Sequence, residues 1–455
     1  MGIYTKIIPA CLACLLLGFP LTDWAVGLGE AYRAALEKDP DFRSAYYAYQ
    51  AGSENGGIGR SNLFPEVTLS AREARNKGSV ESIGSGFPPQ TLDYNSSSTG
   101  VYLRQPLFSL EKYARYKQGS LQAEMAEKAF QSSRQDLAVR VVSAYLDAVV
   151  AKYGVSLVEA HVHLMEAQYE QARRMLVAGE DDITDVDSAR TKLKLAEVQH
   201  MEFVDRYNDA KEELEDMTQL TVDPMPSFRK LSGFGESIKL SLEQAVGRAV
   251  SGSPDVQEKV LAIKAAEQSL NQARAGYLPT LDLTASYSRN NQDSINIYKQ
   301  KYDTRTIGVE MQWSLLNGGQ TLFSARKANA QWSQAQQDAQ VAREKIKTEV
   351  GKQYHAAKAA ELRVQALVEA IEADKRNVEA MRAGARLGVR TSVDVAGAEK
   401  ELAQTIYDHA DATRNYIVAV LKLSAAMGVL QEDKVAWAEQ FTATKGAAGF
   451  VDVNF

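Results

Sequence analysis

Thiols are almost absent from this sequence. Its two cysteines, Cys11 and Cys14, both fall within the first 25 residues. If that segment is removed on export, the mature chain has no cysteine, which excludes a disulfide framework, a thiolate metal site and a cysteine nucleophile. Histidine is also scarce, with 5 residues. His161 and His163 lie two positions apart on a predicted helix and point in different directions, so we expect no shared metal site.

Catalytic motifs are absent too. The sequence has no glycine-rich phosphate loop, no G-x-S-x-G motif and no zinc motif. Neither sign of charge dominates, because 52 basic residues stand against 58 acidic ones for a net charge of −6. A nucleic-acid-binding protein would normally show a basic face. We therefore predict no enzymatic activity, no cofactor, no metal and no nucleic-acid partner.

Long hydrophobic runs are confined to the N-terminus. Lys6 precedes an apolar segment at residues 7–19, which is too short to span a bilayer but suits the core of a signal peptide. We predict that residues 1–25 form a signal peptide cleaved after Ala25; the alternative is an uncleaved anchor. No other run reaches the roughly 18 apolar residues of a transmembrane helix. Membrane-spanning β-strands, however, are only locally apolar.

The remaining chain contains one structural unit in two copies. A unit of about 200 residues is too long for a small solenoid repeat, so we interpret it as a duplication of a half-molecule. We divide the chain into a first repeat (26–220), a linker (221–237), a second repeat (238–428) and a C-terminal tail (429–455) without clear periodicity. The alignment of the repeats places 28–71 on 242–285, Gly100 on Gly308, Leu107 on Leu315, Gly179 on Gly388 and Asp185 on Asp394.

Two short segments in each repeat alternate strictly between apolar and polar residues. This pattern is the signature of membrane β-barrel strands, with apolar residues outward and polar residues inward. A half-buried soluble sheet alternates in the same way, but four matched strands flanked by very long helices favour the barrel. The polar segments 95–98 and 290–293 are predicted to belong to loops between paired strands. The apolar positions of the four predicted membrane strands include Val67, Leu69, Val101, Leu103, Leu281, Leu283, Val309 and Met311.

Four strands cannot close into a barrel. An open sheet edge in lipid would leave unpaired backbone groups, each costing several kcal/mol, and the smallest single-chain barrels have about eight strands. The chain must therefore pool its strands with copies of itself. Three copies would give twelve strands with pseudo-sixfold symmetry, although strand counting alone does not determine the number three.

Two segments are predicted to form very long helices. No proline interrupts residues 111–178 or 320–383, and a helix of that length is on the order of 100 Å long. Helices this long pack as coiled-coil pairs rather than around a compact core. Each is followed by a turn, at Gly179 or Gly388, and by a returning helix. Thr184 and Asp187 are predicted to form a capping box at the start of the first returning helix.

Four short segments mark the ends of the predicted strands and the turns between the predicted helices: ARAGYLP (273–279), WSLLNGG (313–319), ITDV (183–186) and RTSVDV (390–395). With these segments in their duplicated order, the chain resembles the TolC family of outer-membrane channel-tunnels over nearly all of residues 28–428, and most of all its type I secretion members, including protease exporters. The resemblance implies a mainly α fold with β: a homotrimer whose long antiparallel coiled-coil helices form an α-helical barrel in the periplasm. Each chain would add four strands to a shared twelve-stranded transmembrane β-barrel.

The same resemblance implies a gate at the periplasmic end of the tunnel. Asp394 matches an aperture aspartate of the family, and Arg390 matches a gate arginine whose partners correspond to Thr184 and Asp185. Two further family positions differ: a second aperture aspartate is replaced by Gly397, and a tyrosine link by Ala385. From the residues alone, the acidic cluster Asp181, Asp182, Asp185 and Asp187 is also typical of a solvated helix N-terminus.

By this resemblance, the chain is expected to be a passive exit duct for secreted protein, spanning the outer membrane of a Gram-negative cell and reaching into the periplasm. Its partners would be a periplasmic adaptor (membrane fusion protein), an inner-membrane ABC transporter and outer-membrane lipid. One alternative is the outer-membrane component of a drug efflux pump, which would work with a different inner-membrane pump. A second alternative, of another class, is a pore-less periplasmic coiled-coil adaptor.

Overall fold

A computed structural model describes residues 26–443 except 82, 85, 87, 181, 223–224, 229–239 and 293–299. The predicted signal peptide, Asp181, Asp293 and the end of the tail lie outside the described residues. Each repeat contains two helices, a β-hairpin and a hairpin of two long helices. In chain order the elements are α1 (Leu28–Lys38), α2 (Pro40–Ser61), β1 (Glu66–Val80), β2 (Gln90–Phe108), α3 (Leu110–Ala178), α4 (Ile183–Thr218), β3 (Ser227–Phe228), α5 (Leu242–Gly252), α6 (Pro254–Ala275), β4 (Thr280–Gln292), β5 (Gln300–Gln312), α7 (Gln320–Arg386), α8 (Ser392–Ala426), α9 (Glu432–Glu439) and β6 (Thr442–Ala443).

Two helices precede the first strand of each repeat. Pro40 and Pro254 occupy the first positions of α2 and α6. Proline suits a first helical turn but cannot continue a preceding helix, because it lacks a backbone N–H. Asp39 caps α2 by accepting a hydrogen bond of 2.6 Å from the Phe42 backbone N–H. The duplicated proline therefore makes the same break in both repeats.

The four long strands form one antiparallel sheet in the order β1-β2-β4-β5. Glu66 pairs with Arg104 in the first hairpin and Thr280 pairs with Gln312 in the second, so the two hairpins have equivalent registers. The strands are longer than the alternating segments predicted. Residues 95–98 belong to β2 and 290–292 to β4, so their assignment to loops was wrong. Their backbones continue the hairpin ladders although their side chains are polar on both faces.

The two long helices are confirmed. The first, α3, has 69 residues and α7 has 67, so each extends about 100 Å at 1.5 Å per residue. Helix α3 pairs with α4, and helix α7 pairs with α8. Helix α3 also packs along α6 and α8. The main core lies where α3 and α8 meet, and it includes Leu137, Val141, Tyr145, Leu146, Tyr416, Ile417 and Leu421.

One stretch of α3 is long and apolar enough to cross a membrane, with a mean hydropathy of 1.5. About two-thirds of that stretch (67%) is buried inside the chain. Its apolar side chains pack against α8, as expected for the central helix of a bundle.

The linker and the C-terminal tail pair with each other. Ser227 of β3 pairs with Ala443 of β6, and the ring of Phe228 stacks on Tyr153 of α3 at 6.1 Å. On α9, Trp437 contacts Phe441 edge to face at 4.9 Å. The tail was expected to lack periodicity, and its helix is only 8 residues long, which is too short for a periodic signal to be read.

The predicted capping box at Thr184 and Asp187 is wrong. The N-cap of α4 is Asp182, whose carboxylate accepts a hydrogen bond of 2.6 Å from the Ile183 backbone N–H. Thr184 therefore lies inside the first turn, where its hydroxyl cannot act as the N-cap acceptor. A capping box does form at the equivalent end of α8, between Thr391 and Asp394.

Candidate gate and membrane-facing surface

The sheet has one apolar face that the described residues of the chain leave largely exposed. Val67 and Leu69 on β1 are 63% and 71% exposed, and Val309 and Met311 on β5 are 60% and 65% exposed. Val101 on β2 is also exposed, while Leu103, Leu281 and Leu283 are partly buried. Soluble monomers rarely expose a continuous apolar surface of this kind. The alternation predicted from the sequence is present in the strands.

The opposite face of the sheet carries charged residues at its helix-proximal end. Glu66 lies opposite Arg104, and Asp282 lies opposite Glu310. Arg104 reaches across from β2 to β4, where its Nη2 lies 2.6 Å from Oδ2 of Asp282. The Asp282 side chain is only 5% exposed, so this ion pair satisfies a buried carboxylate. It also joins the two repeats, because β2 belongs to the first and β4 to the second.

Both outer strands of this sheet have an edge that no other described strand of the chain pairs with. The strand order ends with β1 on one side and β5 on the other. Exposed edges of long, flat apolar strands are strong templates for pairing with another chain. In lipid they would have to be paired, since no water is available to satisfy the backbone.

The tips of the two long helix hairpins are built on left-handed glycines. Gly179 ends α3 with φ of 79° and Gly388 follows α7 with φ of 76°, a conformation that residues with a side chain rarely adopt. The Glu180 N–H bonds to the Met175 carbonyl, and the Val389 N–H bonds to the Gly384 carbonyl. The two predicted turn positions therefore have the same helix-ending geometry.

Asp394 is the best-defined residue of the predicted gate. Its Oδ2 accepts hydrogen bonds from the Thr391 backbone N–H at 2.8 Å and from the Thr391 hydroxyl at 2.9 Å. Its own N–H donates to the Thr391 hydroxyl oxygen at 3.1 Å. The hydrogen bonds from Thr391, together with the positive charge of Arg390, lower the pKa of the Asp394 carboxyl below its usual value. The carboxylate is therefore charged and held in one orientation.

Arg390 is exposed at the α7–α8 turn, where its aliphatic stem lies over Gly384. Thr184 and Asp185 are exposed on the first turn of α4, at the tip of the other hairpin. Among the residues that the structure describes, Arg390 forms no hydrogen bond or ion pair with either. The single chain thus places these residues at two hairpin tips without joining them, and the gate link stays a prediction.

Sequence reasoning missed the contacts that brace the α7–α8 hairpin behind its tip. Arg382 on α7 lies 2.6 Å from the Glu399 carboxylate on α8. Farther from the tip, the Thr405 hydroxyl donates to Asp374 at 2.6 Å. Once Gly388 was identified as the turn, antiparallel pairing would have put Arg382 and Glu399 near each other. A residue's distance from the turn is therefore the signal that could have found them.

The histidines do not gather into a metal site. No cluster of three or more candidate metal ligands occurs in the part of the chain that the structure describes. His409 is instead buried on α8, where the loss of water lowers its pKa to about 4. Burial and the nearby Lys400 also lower the pKa of His161.

The sequence profile of the outer membrane efflux protein family matches residues 31–218 and 245–429. The matched segments fall in both repeats and omit the whole linker. The profile therefore covers both helix hairpins and all four strands of the sheet.

Two curated proteins are similar over most of their length. The alkaline protease secretion protein AprF of Pseudomonas aeruginosa is 28% identical over 416 residues, covering 90% of this chain and 86% of AprF. The proteases secretion protein PrtF of Dickeya chrysanthemi is 28% identical over 424 residues, covering 90% and 89%. Among solved structures, the Campylobacter jejuni CmeC outer membrane channel superposes with a TM-score of 0.74 at 16% identity, covering 96% of this chain and 98% of CmeC. That similarity establishes the fold.

Proposed function

The chain belongs to the outer membrane efflux protein family, and on that premise we propose that it is the outer-membrane duct of a type I protein secretion system. The observation that carries the proposal is a four-stranded sheet with an exposed apolar face and two open edges, mounted on helix hairpins about 100 Å long. The exposed apolar face of the sheet can contact lipid, and the helix hairpins are long enough to extend far into the periplasm.

The proposed assembly is a homotrimer with a shared twelve-stranded transmembrane β-barrel. Closing the barrel pairs β5 of one copy with β1 of the next, which satisfies the backbone groups of both edges. The lumen then receives the polar face with Glu66, Arg104, Asp282 and Glu310. The long helices continue the lumen as an α-helical barrel.

The gate residues retain their predicted roles within this proposal. Asp394 would line the aperture in three copies, and an acidic ring of this kind favours cations. Arg390 would restrain the aperture by bonding to Thr184 or Asp185. The duct carries out no chemistry of its own in this proposal. The energy for transport comes from an inner-membrane ABC transporter, reached through a periplasmic adaptor.

Protein export is preferred over drug efflux because AprF and PrtF, similar over 86% and 89% of their length, are named for protease secretion. Drug efflux remains the second candidate, since the family itself is named for efflux. The pore-less adaptor is disfavoured by the exposed apolar strands Glu66–Val80 and Gln300–Gln312.

The test deletes the gene and compares the secreted proteins of mutant and parent by mass spectrometry. Loss of one or a few large proteins from the medium, with their retention in the cell, is the expected result, and a plasmid copy of the intact gene should restore them. The same strains are assayed for growth inhibition by antibiotics and detergents. An unchanged secretome together with increased drug sensitivity would replace secretion by efflux.

A further inference from the structure

The apolar face of the second hairpin ends in a cluster of cations around one tyrosine. The Arg305 guanidinium lies over the Tyr287 ring at 5.7 Å. Two residues farther along β4, Nη2 of Arg289 donates to the Tyr287 hydroxyl at 3.2 Å. Lys301 lies two residues before Asp303 on the same face of β5. We call Arg289, Lys301 and Arg305 the basic patch.

The basic patch carries excess positive charge. Arg289 is neutralised by Asp303, with its Nε 2.8 Å from Oδ1. Within the described part of the chain, Arg305 and Lys301 have no carboxylate within 4.0 Å. Both side chains are exposed. Among the described residues of this face, three cations and one carboxylate leave two positive charges.

The first hairpin provides an internal comparison, since the registers of the two hairpins are equivalent. Arg75 corresponds to Arg289, but Glu73 stands where the second repeat has Tyr287, and Ser97 stands where it has Arg305. Arg75 forms a two-bond ion pair with Asp93, both at 2.8 Å. The first hairpin therefore balances its charges, and the excess is specific to the second.

The proposed trimer would bring a lysine of a second copy beside the basic patch, and this step, like the placement in the membrane described below, rests on the proposed function. If β5 pairs with a neighbouring copy's β1 as β2 pairs with β4, the repeat places Lys77 of the second copy opposite Arg305. Lys77 lies 3.8 Å from the Asp93 carboxylate of its own hairpin, so the neighbouring copy adds no net charge and the excess on the basic patch persists.

The basic patch lies at the level where lipid headgroups begin. From Leu281, the first apolar residue of β4 on this face, to Arg289 the strand rises about 26 Å at roughly 3.3 Å per residue. With a strand tilt of about 40°, this corresponds to about 20 Å along the membrane normal, close to the height of a barrel's apolar band. Tyr287 is then an interfacial aromatic residue. The patch lies at the end of the sheet remote from the long helices.

We propose that the basic patch binds the phosphate groups of a phosphorylated lipid in the leaflet remote from the helices. Arginine matches phosphate oxygens with two parallel N–H bonds, and lysine adds a compact charge. The apolar row below the patch, with Ile307, Val309 and Met311 exposed, would hold the acyl chains of the same lipid. The basic patch would thus contact the phosphate headgroup, and the apolar row would contact the acyl chains that extend from it into the membrane.

The experiment uses the full-length protein purified in detergent and reconstituted in phosphatidylcholine nanodiscs. Binding of lipid A, which carries two phosphates, is measured by native mass spectrometry beside dephosphorylated lipid A with the same acyl chains. The intact protein should retain lipid A at least about fivefold better than the dephosphorylated form, and R305Q/K301Q should lose about tenfold or more in lipid A binding, since each cation near a membrane surface contributes about fivefold.

The control variant is Arg72→Gln, which removes one cation from the opposite face of β1 and should leave lipid A binding unchanged. Equal binding of the two lipids by the intact protein would overturn the proposal even if R305Q/K301Q failed to fold. Unchanged binding by a folded R305Q/K301Q would overturn it as well. The oligomeric state is read from the same mass spectra, so a failure to form trimers is distinguished from a failure to bind phosphate.

Discussion

Asp394 and Thr391 exchange three hydrogen bonds at the start of α8, and this capping box fixes the carboxylate that is predicted to line the aperture. The equivalent start of α4 is capped differently, by Asp182 alone. The two hairpin tips, although copies of one unit, therefore present different groups. The Asp394 carboxylate therefore caps α8 and, in the proposed trimer, also faces the ions that pass through the aperture.

Asp394→Asn should lower the preference of the channel for cations over anions, because it removes three negative charges from the aperture of a trimer. The asparagine side chain keeps an oxygen that can accept the hydrogen bonds from Thr391. Asp394→Ala removes this acceptor and should therefore also lower the melting temperature. Reversal potentials in planar bilayers under a salt gradient measure the selectivity. Asp187→Asn, an exposed carboxylate on α4, is the matched control. Equal selectivity of Asp394→Asn and parent would remove Asp394 from the aperture.

Arg390→Ala should raise single-channel conductance in planar bilayers, since the proposed gate loses the group that restrains it. Exposed ion pairs are individually weak, but three copies act together around the aperture. Arg390→Lys should give an intermediate value because it keeps the charge. Arg386→Ala removes another exposed arginine four residues away and should leave conductance unchanged. Conductance equal to the parent in Arg390→Ala would contradict the gate assignment.

Arg104→Leu should destabilise the folded protein by about 3 kcal/mol, because it leaves the buried Asp282 carboxylate without its partner. Asp282→Asn should cost less, since Arg104 is half exposed and can be solvated. The measurement is the temperature at which the folded band disappears on gels in SDS. Arg75→Leu breaks an ion pair with the exposed Asp93 and should shift that temperature little. Equal effects of Arg104→Leu and Arg75→Leu would contradict a structural role for the buried pair.

Acid should weaken the protein partly through His409. Its folded pKa, lowered by burial to about 4, lies below the usual value of about 6.5. The unfolded chain therefore takes up the proton first, and folding stability falls as the pH drops from about 6.5 to 4, by up to about 3 kcal/mol. His409→Leu should flatten the decline in melting temperature over this range. His163→Leu, on an exposed part of α3, should leave the decline in place.

Gly119→Ala should lower the melting temperature although alanine favours helix. A methyl group at Gly119 would overlap the Asn55 carbonyl oxygen on α2, so the two backbones would have to separate. Gly247→Ala on α5 is the matched control, because nothing lies within 4 Å of its added methyl group. That change should stabilise the protein by about 0.5–1 kcal/mol. Stabilisation by both changes would contradict close packing of α2 on α3.

The sequence predicted the secondary structure best where a pattern was long. Absence of proline over 111–178 and the glycine at 179 predicted α3 and its end to within a residue. Strand alternation identified the apolar faces of β1 and β5, but it failed at 95–98 and 290–292, where polar residues extend the hairpins. Beyond the apolar rows of the strands, neither face has to be apolar. The alternation of apolar and polar residues therefore ends there, while the backbone pairing continues.

For the candidate gate, the sequence offers residues but does not indicate the contacts that these residues make. Asp394 was identified by resemblance, but its bonds to Thr391 follow from where α8 begins. The buried pair of Arg104 and Asp282 depends on the register of β2 against β4, and no local pattern encodes a register between strands so far apart in sequence. The same is true of the pairing between the linker and the tail.

The sequence by itself determined the duplication, the long helices, the outward apolar rows and the need for further strands, because these depend on local periodicity and on the requirement to satisfy the backbone. Only the tertiary structure decided which charges meet. It buried Asp282 beside Arg104, gathered Arg289 and Arg305 around Tyr287, and left Arg390 apart from Thr184. Electrostatic partners depend on distances of a few ångströms between distant segments, and folding alone sets those distances.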